Sequence, residues 1–329
     1  MQIVEVDGHD PVVFEKFFKV RDDVRRAEQE FPVGLGQEET RAMFTADDPD
    51  ERSNGLGLVD GGTWLGMAWL DWWLTENTHI VDVEIAVDPR FRRRGVATRL
   101  LDEVKARVRA DGRTLLTTSV IGDPDTGAGS GTAFAQARGF VRKHTELHQV
   151  IELPMDAAVV DALEREVPGY KLLQWRDHTP QEWLADFADA YTVMSRDVPH
   201  GERTVEIQQW TPERLLAREA QRIERGRFTH TTVAVDTDGR LAAYTQMGGN
   251  RESPERLYQY DTFVRPEHRG HGLGIAVKIP NLRSLQAELE HPAVLHTWNA
   301  PENAPMIAVN QKLGFRASDQ RVALELELS

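Results

Sequence analysis

The chain contains no cysteine, which excludes a disulfide framework, a thiolate zinc site and a cysteine nucleophile. It also lacks any apolar run approaching the ~18 residues of a membrane-spanning helix, so no bilayer span is expected. Its first twenty residues hold Glu5, Asp7, Asp10 and Glu15, where a secretory leader would place basic and then apolar residues. A cytoplasmic protein is therefore expected. Positive charge is scarce: Lys and Arg total 39 against 53 Asp and Glu, a net charge of −14. Such a surface repels phosphate polyanions, which argues against a nucleic-acid binder. The composition is otherwise that of a globular protein, 40% hydrophobic and 28% charged, and 329 residues suffice for two domains.

A repeat confirms that count. The run Glu84-Ile85-Ala86-Val87-Asp88-Pro89-Arg90-Phe91-Arg92-Arg93-Arg94-Gly95-Val96-Ala97 returns as Asp261-Thr262-Phe263-Val264-Arg265-Pro266-Glu267-His268-Arg269-Gly270-His271-Gly272-Leu273-Gly274, at an offset of 177 residues. Arg138-Gly139-Phe140 returns as Leu313-Gly314-Phe315, and the turn at Asp60-Gly61 returns at Asp238-Gly239. Landmarks in one order at a nearly constant offset describe a duplicated domain, expected as 1–155 and 156–329, with the join between Leu153 and Tyr170.

The two halves read alike. Pro11 to Glu28 has helical apolar spacing after a capping Asp10, as does Gln181 to Ser195. Hairpins follow at Leu56–Val59 with Thr63–Leu70, and at Thr231–Val235 with Leu241–Met247. Next come a strand (Ile80–Val87; Leu257–Val264), the Pro/Arg/Gly loop, a helix, a further strand, a short helix ending at Gly-Phe and a last strand such as Val322–Leu328. The fold class expected is α/β, a mixed α+β sheet built twice.

The loop has a physical use. Small residues let backbone N–H groups approach a ligand, and the helix N-terminus behind them adds partial positive charge, a combination suited to pyrophosphate. Its elements are Arg92, Arg93, Arg94, Gly95, Val96 and Ala97 in one half, and Arg269, Gly270, His271, Gly272, Leu273 and Gly274 in the other. A Walker loop is absent, and the nearest fit to Gly-x-Gly-x-x-Gly puts Ile275 at the third glycine, so nucleotide hydrolysis and hydride transfer lose support.

These segments, with Thr297-Trp298-Asn299-Ala300-Pro301-Glu302-Asn303 and the helix running to Leu313-Gly314-Phe315, resemble the GNAT superfamily of acyl-CoA-dependent N-acyltransferases in its tandem form. The resemblance implies two GNAT-like domains and acetyl-CoA as cofactor, with no metal. It implies that the cofactor lies between two parting parallel strands and pairs with backbone at Ile85, Ala86 and Val87, or at Thr262, Phe263 and Val264. Asn299 and Asn303 would contact it. An acceptor amine attacks the thioester directly, so a base and a proton source for the thiolate are required.

Counting back from Gly314 puts the family's asparagine at Asn303 and its tyrosine at Asn310; the same count from Gly139 gives Ala128 and Ala135, within a flexible-looking Gly127–Gly131 stretch. The C-terminal half is therefore expected to be catalytic and the N-terminal half degenerate. Asp261 or His296 is the expected proton carrier, with Asn310 near the sulfur; Glu84 is the counterpart of Asp261. Trp69, Trp72 and Trp73 read as inter-domain packing rather than a cationic cage. The loop Asp197-Val198-Pro199-His200-Gly201 is a candidate acceptor contact. The acidic surface suits a cationic small-molecule amine, on a monomer or homodimer. The alternatives are a non-catalytic acyl-CoA-binding module and an acetyltransferase acting on protein amines.

Overall fold

The computed structural model describes residues 1–197, 201–203 and 206–328. In chain order the elements are β1 (Gln2–Val6), α1 (Pro11–Glu28), α2 (Gln37–Thr45), β2 (Glu51–Asp60), β3 (Thr63–Trp73), β4 (Ile80–Val87), α3 (Val96–Ala110), β5 (Leu115–Gly122) and α4 (Ser130–Ala137). They continue with β6 (Val141–Leu153), α5 (Ala157–Leu163), β7 (Lys171–Arg176), α6 (Leu184–Asp197), α7 (Pro212–Glu224), β8 (Arg227–Val235), β9 (Leu241–Asn250), β10 (Ser253–Val264), α8 (Leu273–Gln286), β11 (Ala293–Asn299), α9 (Ala304–Leu313) and β12 (Arg316–Glu327).

These elements form two compact units, and the units do not divide the chain at a single point. The first holds residues 1–145 and the strand from Asp319 onward; the second holds most of 146–318. In the first unit the strand order is β1-β2-β3-β4-β5-β12. Only β4 and β5 run parallel, and β12 pairs antiparallel with β5 from Gln320↔Gly122 to Glu327↔Leu115. In the second unit the order is β6-β11-β10-β9-β8-β7, with β10 and β11 parallel and β6 antiparallel to β11. Each sheet is thus completed by the strand that follows the other half's last helix. Alternating apolar residues make the exchange possible: Val322 and Leu324 are buried in the first unit's core, and Val150 and Leu153 are buried in the second unit.

Each sheet has helices on both faces. In the first unit α1 presents Phe14, Phe17, Val20 and Val24 to Met67 and Trp69, while α3 buries Val96, Leu100, Leu101, Val104 and Val108 on the opposite face. Asp10 caps α1 as its spacing predicts, accepting from the Val12 and Val13 N–H groups at 3.0 and 3.1 Å. In the second unit α6 packs Leu184, Phe187 and Tyr191 against Val233, Tyr244 and Phe263. On the other face α8 packs Ile275, Ile279, Leu282 and Leu285 against Met247, Leu257 and Leu295.

Two expectations are corrected by this packing. Trp69 and Trp72 lie inside the first unit's own cores, and their indole N–H groups donate to Asp71 and Asn54, as Trp73 does to Asp82. Arg21 lies over the Trp69 ring and Arg52 over the Trp72 ring, so neither forms an open cage. The Gly127–Gly131 stretch is held rather than loose. Asp123 Oδ1 accepts from Asp125 and Thr126, Thr132 Oγ1 donates to Gly127 O, and a β-carbon on Gly122 would overlap that same carbonyl.

Candidate active site

In the second unit β10 and β11 pair only from Arg256↔Val294 to Tyr258↔His296. Beyond that point β10 runs on to Val264 and β11 to Asn299, so Thr262, Phe263 and Val264 face no partner on the β11 side. β10 also carries one residue more than β9 between Gln259↔Met247 and Thr262↔Thr245. This bulge takes the Tyr260–Asp261 backbone out of the β9 ladder where the parallel strands part. The first unit has the same parting, with pairing from Ile80↔Leu115 to Asp82↔Thr117 and then free backbone through Ile85, Ala86 and Val87. It has no bulge: β3 and β4 pair without a register shift from Gly66↔Val87 to Trp72↔Val81. Thr118 Oγ1 also donates to Val83 O at 2.7 Å, closing the start of the gap.

The glycine loops have the same backbone in both units. Gly272 and Gly95 are the residues before α8 and α3, in the left-handed region at φ 76° and 80°. Gly270 is also left-handed at φ 85°, and its counterpart Arg93 takes φ 61°. A β-carbon added at Gly95, Gly270, Gly272 or Gly274 would meet nothing within 4 Å, so the N-termini of α3 and α8 open onto free space. The arginines are anchored alike: Arg92 Nε donates to Val87 O and Arg269 Nε to Val264 O, both at 3.2 Å. Arg92 is also ion-paired to Glu28, the last residue of α1, and Arg269 to Asp197, the last of α6. Tyr170 OH holds the His268 ring at 3.0 Å and so steadies the second loop. A free helix N-terminus with left-handed glycines and an arginine fits a pyrophosphate.

Two asparagines expected at the cofactor lie at the end of β11 and the start of α9. Asn299, at the end of β11, is buried, and its Nδ2 has no hydrogen-bond partner among the described residues. A buried amide donor without a partner is costly unless a ligand satisfies it. Asn303 precedes α9, and its side chain makes no capping bond to the helix. Asn310 is different: it is fully buried, accepts from Lys278 Nζ at 2.8 Å and donates to Gln149 Oε1 at 3.3 Å.

The carboxylates at equivalent positions have opposite surroundings. Burial raises the Asp261 pKa, and only the nearby charge of Arg222 on α7 opposes it. Burial would raise Glu84 too, but Arg21 and Arg25 outweigh it and bring its pKa down to about 2. Arg21 holds both Glu84 oxygens from Nε, at 3.0 and 2.9 Å, and one of them from Nη2 at 2.8 Å. Glu84 is therefore a fixed counter-ion, whereas burial draws Asp261 toward its protonated form. His296 is buried with its ring stacked on His148, which also stacks on Trp298, and its Nδ1 lies 2.9 Å from His148 Nε2. Burial, then His148 and Arg256, push its pKa down to about 3, which makes it a weak base. Trp298 stacks on His148 at 4.6 Å. Tyr191, hydrogen-bonded to Gln246 and within the field of Arg222 and Asp261, is pushed by burial up to about 12 and is no ready acid at neutral pH. Of the loop Asp197–Gly201, residues 198–200 lie outside the described residues.

Known proteins share this layout. The profile of the acetyltransferase (GNAT) family matches residues 21–140 and again 173–315, most of both halves. The chain belongs to the GNAT acetyltransferase family. It is 28% identical over 249 residues to the mycothiol acetyltransferase of Arthrobacter sp. (strain FB24), covering 73% of this chain and 68% of that one. A tandem GNAT protein from the clavulanic acid biosynthesis pathway superposes with a TM-score of 0.83 at 25% identity, over 100% of this chain and 98% of the other. A GCN5-related N-acetyltransferase from Sphaerobacter thermophilus, at 15% identity and a TM-score of 0.70 over 99% and 96%, shares the fold. Among the described residues no helix is long and apolar enough to cross a membrane.

Arg222 and Lys278 were not singled out from the sequence. Arg222 has the spacing of an exposed helix cation, and Lys278 sits in an otherwise apolar run, Leu273 to Ile279, where a lone lysine carries no signal of its own.

Proposed function

We propose that this chain moves the acetyl group of acetyl-CoA directly onto a primary amine of a small molecule, and that the second unit performs the reaction. The observation that carries this reading is the β10 bulge, which puts Asp261 beside backbone freed from its ladder, where β10 and β11 part. In the first unit the matching strand is regular and its carboxylate is tied to two arginines. That unit keeps the loop for acyl-CoA without a free base.

When bound, acetyl-CoA supplies an activated acyl carbon on a thiol leaving group. Gly270, Gly272 and Gly274 with Arg269 hold the pyrophosphate, and Thr262 to Val264 offer backbone groups to the pantetheine amides. Asn299 Nδ2 and Asn303 add side-chain contacts. Asp261 accepts the proton that the amine loses on attack, and the bulged backbone offers an N–H to the carbonyl oxygen as it gains charge. Arg222 opposes the upward pull of burial on the Asp261 pKa and so favours its ionised, basic form.

The acceptor assignment is supported by the two relatives, which are named for mycothiol and for clavulanic acid biosynthesis, both tied to small molecules. The net charge of −14 favours a cationic amine. The test is acetyl-CoA binding stoichiometry by calorimetry on the intact chain and on Gly272→Glu, followed by thiol release across a panel of primary amines. Loss of one site together with all thiol release in the variant is the expected result. Binding with no thiol release from any amine would favour a non-catalytic acyl-CoA module instead.

A further inference from the structure

The α8–α9 packing contains an ammonium that the reaction above does not use. Lys278 is 1% exposed, and its Nζ has one hydrogen-bond partner among the described residues, the Asn310 amide oxygen at 2.8 Å. Among the described residues no carboxylate accompanies it, and a buried lysine without a counter-ion is rare because the charged form loses its hydration. The ionisable groups on the elements around α8 are engaged elsewhere. His230 on β8 meets Ser284 and Glu288, Asp161 and Glu164 at α5 hold Arg283, Asp261 on β10 is under the influence of Arg222, and Lys312 on α9 is exposed.

Its position is specific. Lys278 lies one turn after Gly274 and therefore on the same face of α8, the face whose N-terminal end is the open space beside the loop. Its partner, Asn310, is the position at which the family resemblance calls for a tyrosine to meet the departing sulfur. Nζ is bound to the amide oxygen of Asn310, so the amide at that position is backed by an ammonium. Asn310 Nδ2 is directed to Gln149, so the lysine fixes which way the amide faces.

We propose that Lys278, held by Asn310, is the buried cation that stabilises the thiolate of coenzyme A as it leaves. This rests on the reading of the second unit as the acetyl-transfer site. The amine nitrogen bonds to the acyl carbon, the carbon–sulfur bond breaks, and sulfur departs with the electron pair. Its negative charge then forms in a low-dielectric setting at the Asn310 amide, with the Lys278 ammonium behind that amide, and its proton comes from solvent. Lys278 acts from behind Asn310 and is a positioning residue. Burial alone lowers its pKa to about 7, so the stabilisation is present below neutrality and is lost as pH rises above it.

The test needs no acceptor. Free coenzyme A is bound to the full chain, and thiolate ultraviolet absorbance is followed against pH for the wild type, Lys278→Gln and Lys278→Met. Lys278→Gln can keep the hydrogen bond to Asn310 without the charge, which separates electrostatics from the clasp between helices. The bound thiol should ionise at lower pH than free coenzyme A in the wild type, and at least tenfold less readily in both variants. Coincident titrations in the wild type and Lys278→Gln would overturn this inference alone. Failure of the wild-type chain to bind coenzyme A would overturn the proposed function and the inference together.

Discussion

Replacing Asp261 by Asn tests the site most directly, because it removes the carboxylate while keeping its volume on β10. A positioned general base contributes about 10²–10⁴ in rate, equivalent to about 3–5 kcal/mol of barrier. Thiol release from acetyl-CoA with the best amine of a panel should fall by that factor, with little change in acetyl-CoA affinity. The wild-type rate should rise with pH through the Asp261 pKa, which burial lifts above its ordinary value, and this acid limb should vanish in the variant. Stability should move the other way. A carboxyl whose folded pKa is raised contributes fully below its unfolded pKa and loses that contribution as pH rises through the folded value. Asp261→Asn should therefore unfold at higher denaturant than the wild type at neutral pH, with the gap closing below about pH 4. A variant within threefold of wild-type kcat would refute Asp261 as the base, and a variant less stable at neutral pH would refute the burial argument.

Arg222→Met removes the one charge that lowers Asp261, so the acid limb should shift to higher pH in the same assay. His296→Asn should leave kcat within about threefold, since a group with a pKa near 3 carries no proton at neutral pH, and should cost about 0.5–1.5 kcal/mol by chemical denaturation for the lost ring stacking. Glu84→Gln should destabilise the protein by about 1–3 kcal/mol, below the value for a wholly buried pair because the carboxylate is 37% exposed. That loss should be full above about pH 4.5, where the unfolded carboxyl is ionised, and should fade as pH falls toward about 2. Thiol release should be unchanged in Glu84→Gln if the second unit carries the reaction.

Local features of the fold are legible in the sequence. Pro11–Glu28 and Ile80–Val87 form a helix and a strand with the expected bounds, because Asp10-Pro11 and Asp88-Pro89 are local stops and starts. The expected Gln181–Ser195 helix begins with a 3-10 turn at Gln181–Trp183 before α6. The loop glycines were found because left-handed backbone at a helix start selects glycine at Gly95 and Gly272. Non-local relations were not legible. The pattern of Val322–Leu328 states that a strand forms, but any open sheet edge would satisfy it, so its pairing with β5 could not be read. Glu84 and Asp261 look equivalent in the repeat. What separates them is a pair of arginines on α1, outside the repeated segment, and a register shift between Gln259 and Thr262 of β10 that depends on pairing with β9.

The exchanged strands give the chain a folding order. Leu115 and Leu116 on β5 must wait for residues roughly 200 positions later in the sequence before that edge is covered. During synthesis the first unit thus presents an uncapped β5 edge until β12 emerges, while the second can already recruit β6, made well before its own β11. The half made last is then the first able to complete its sheet, and a chain that stops short of β12 would leave the older half open to pairing with another copy.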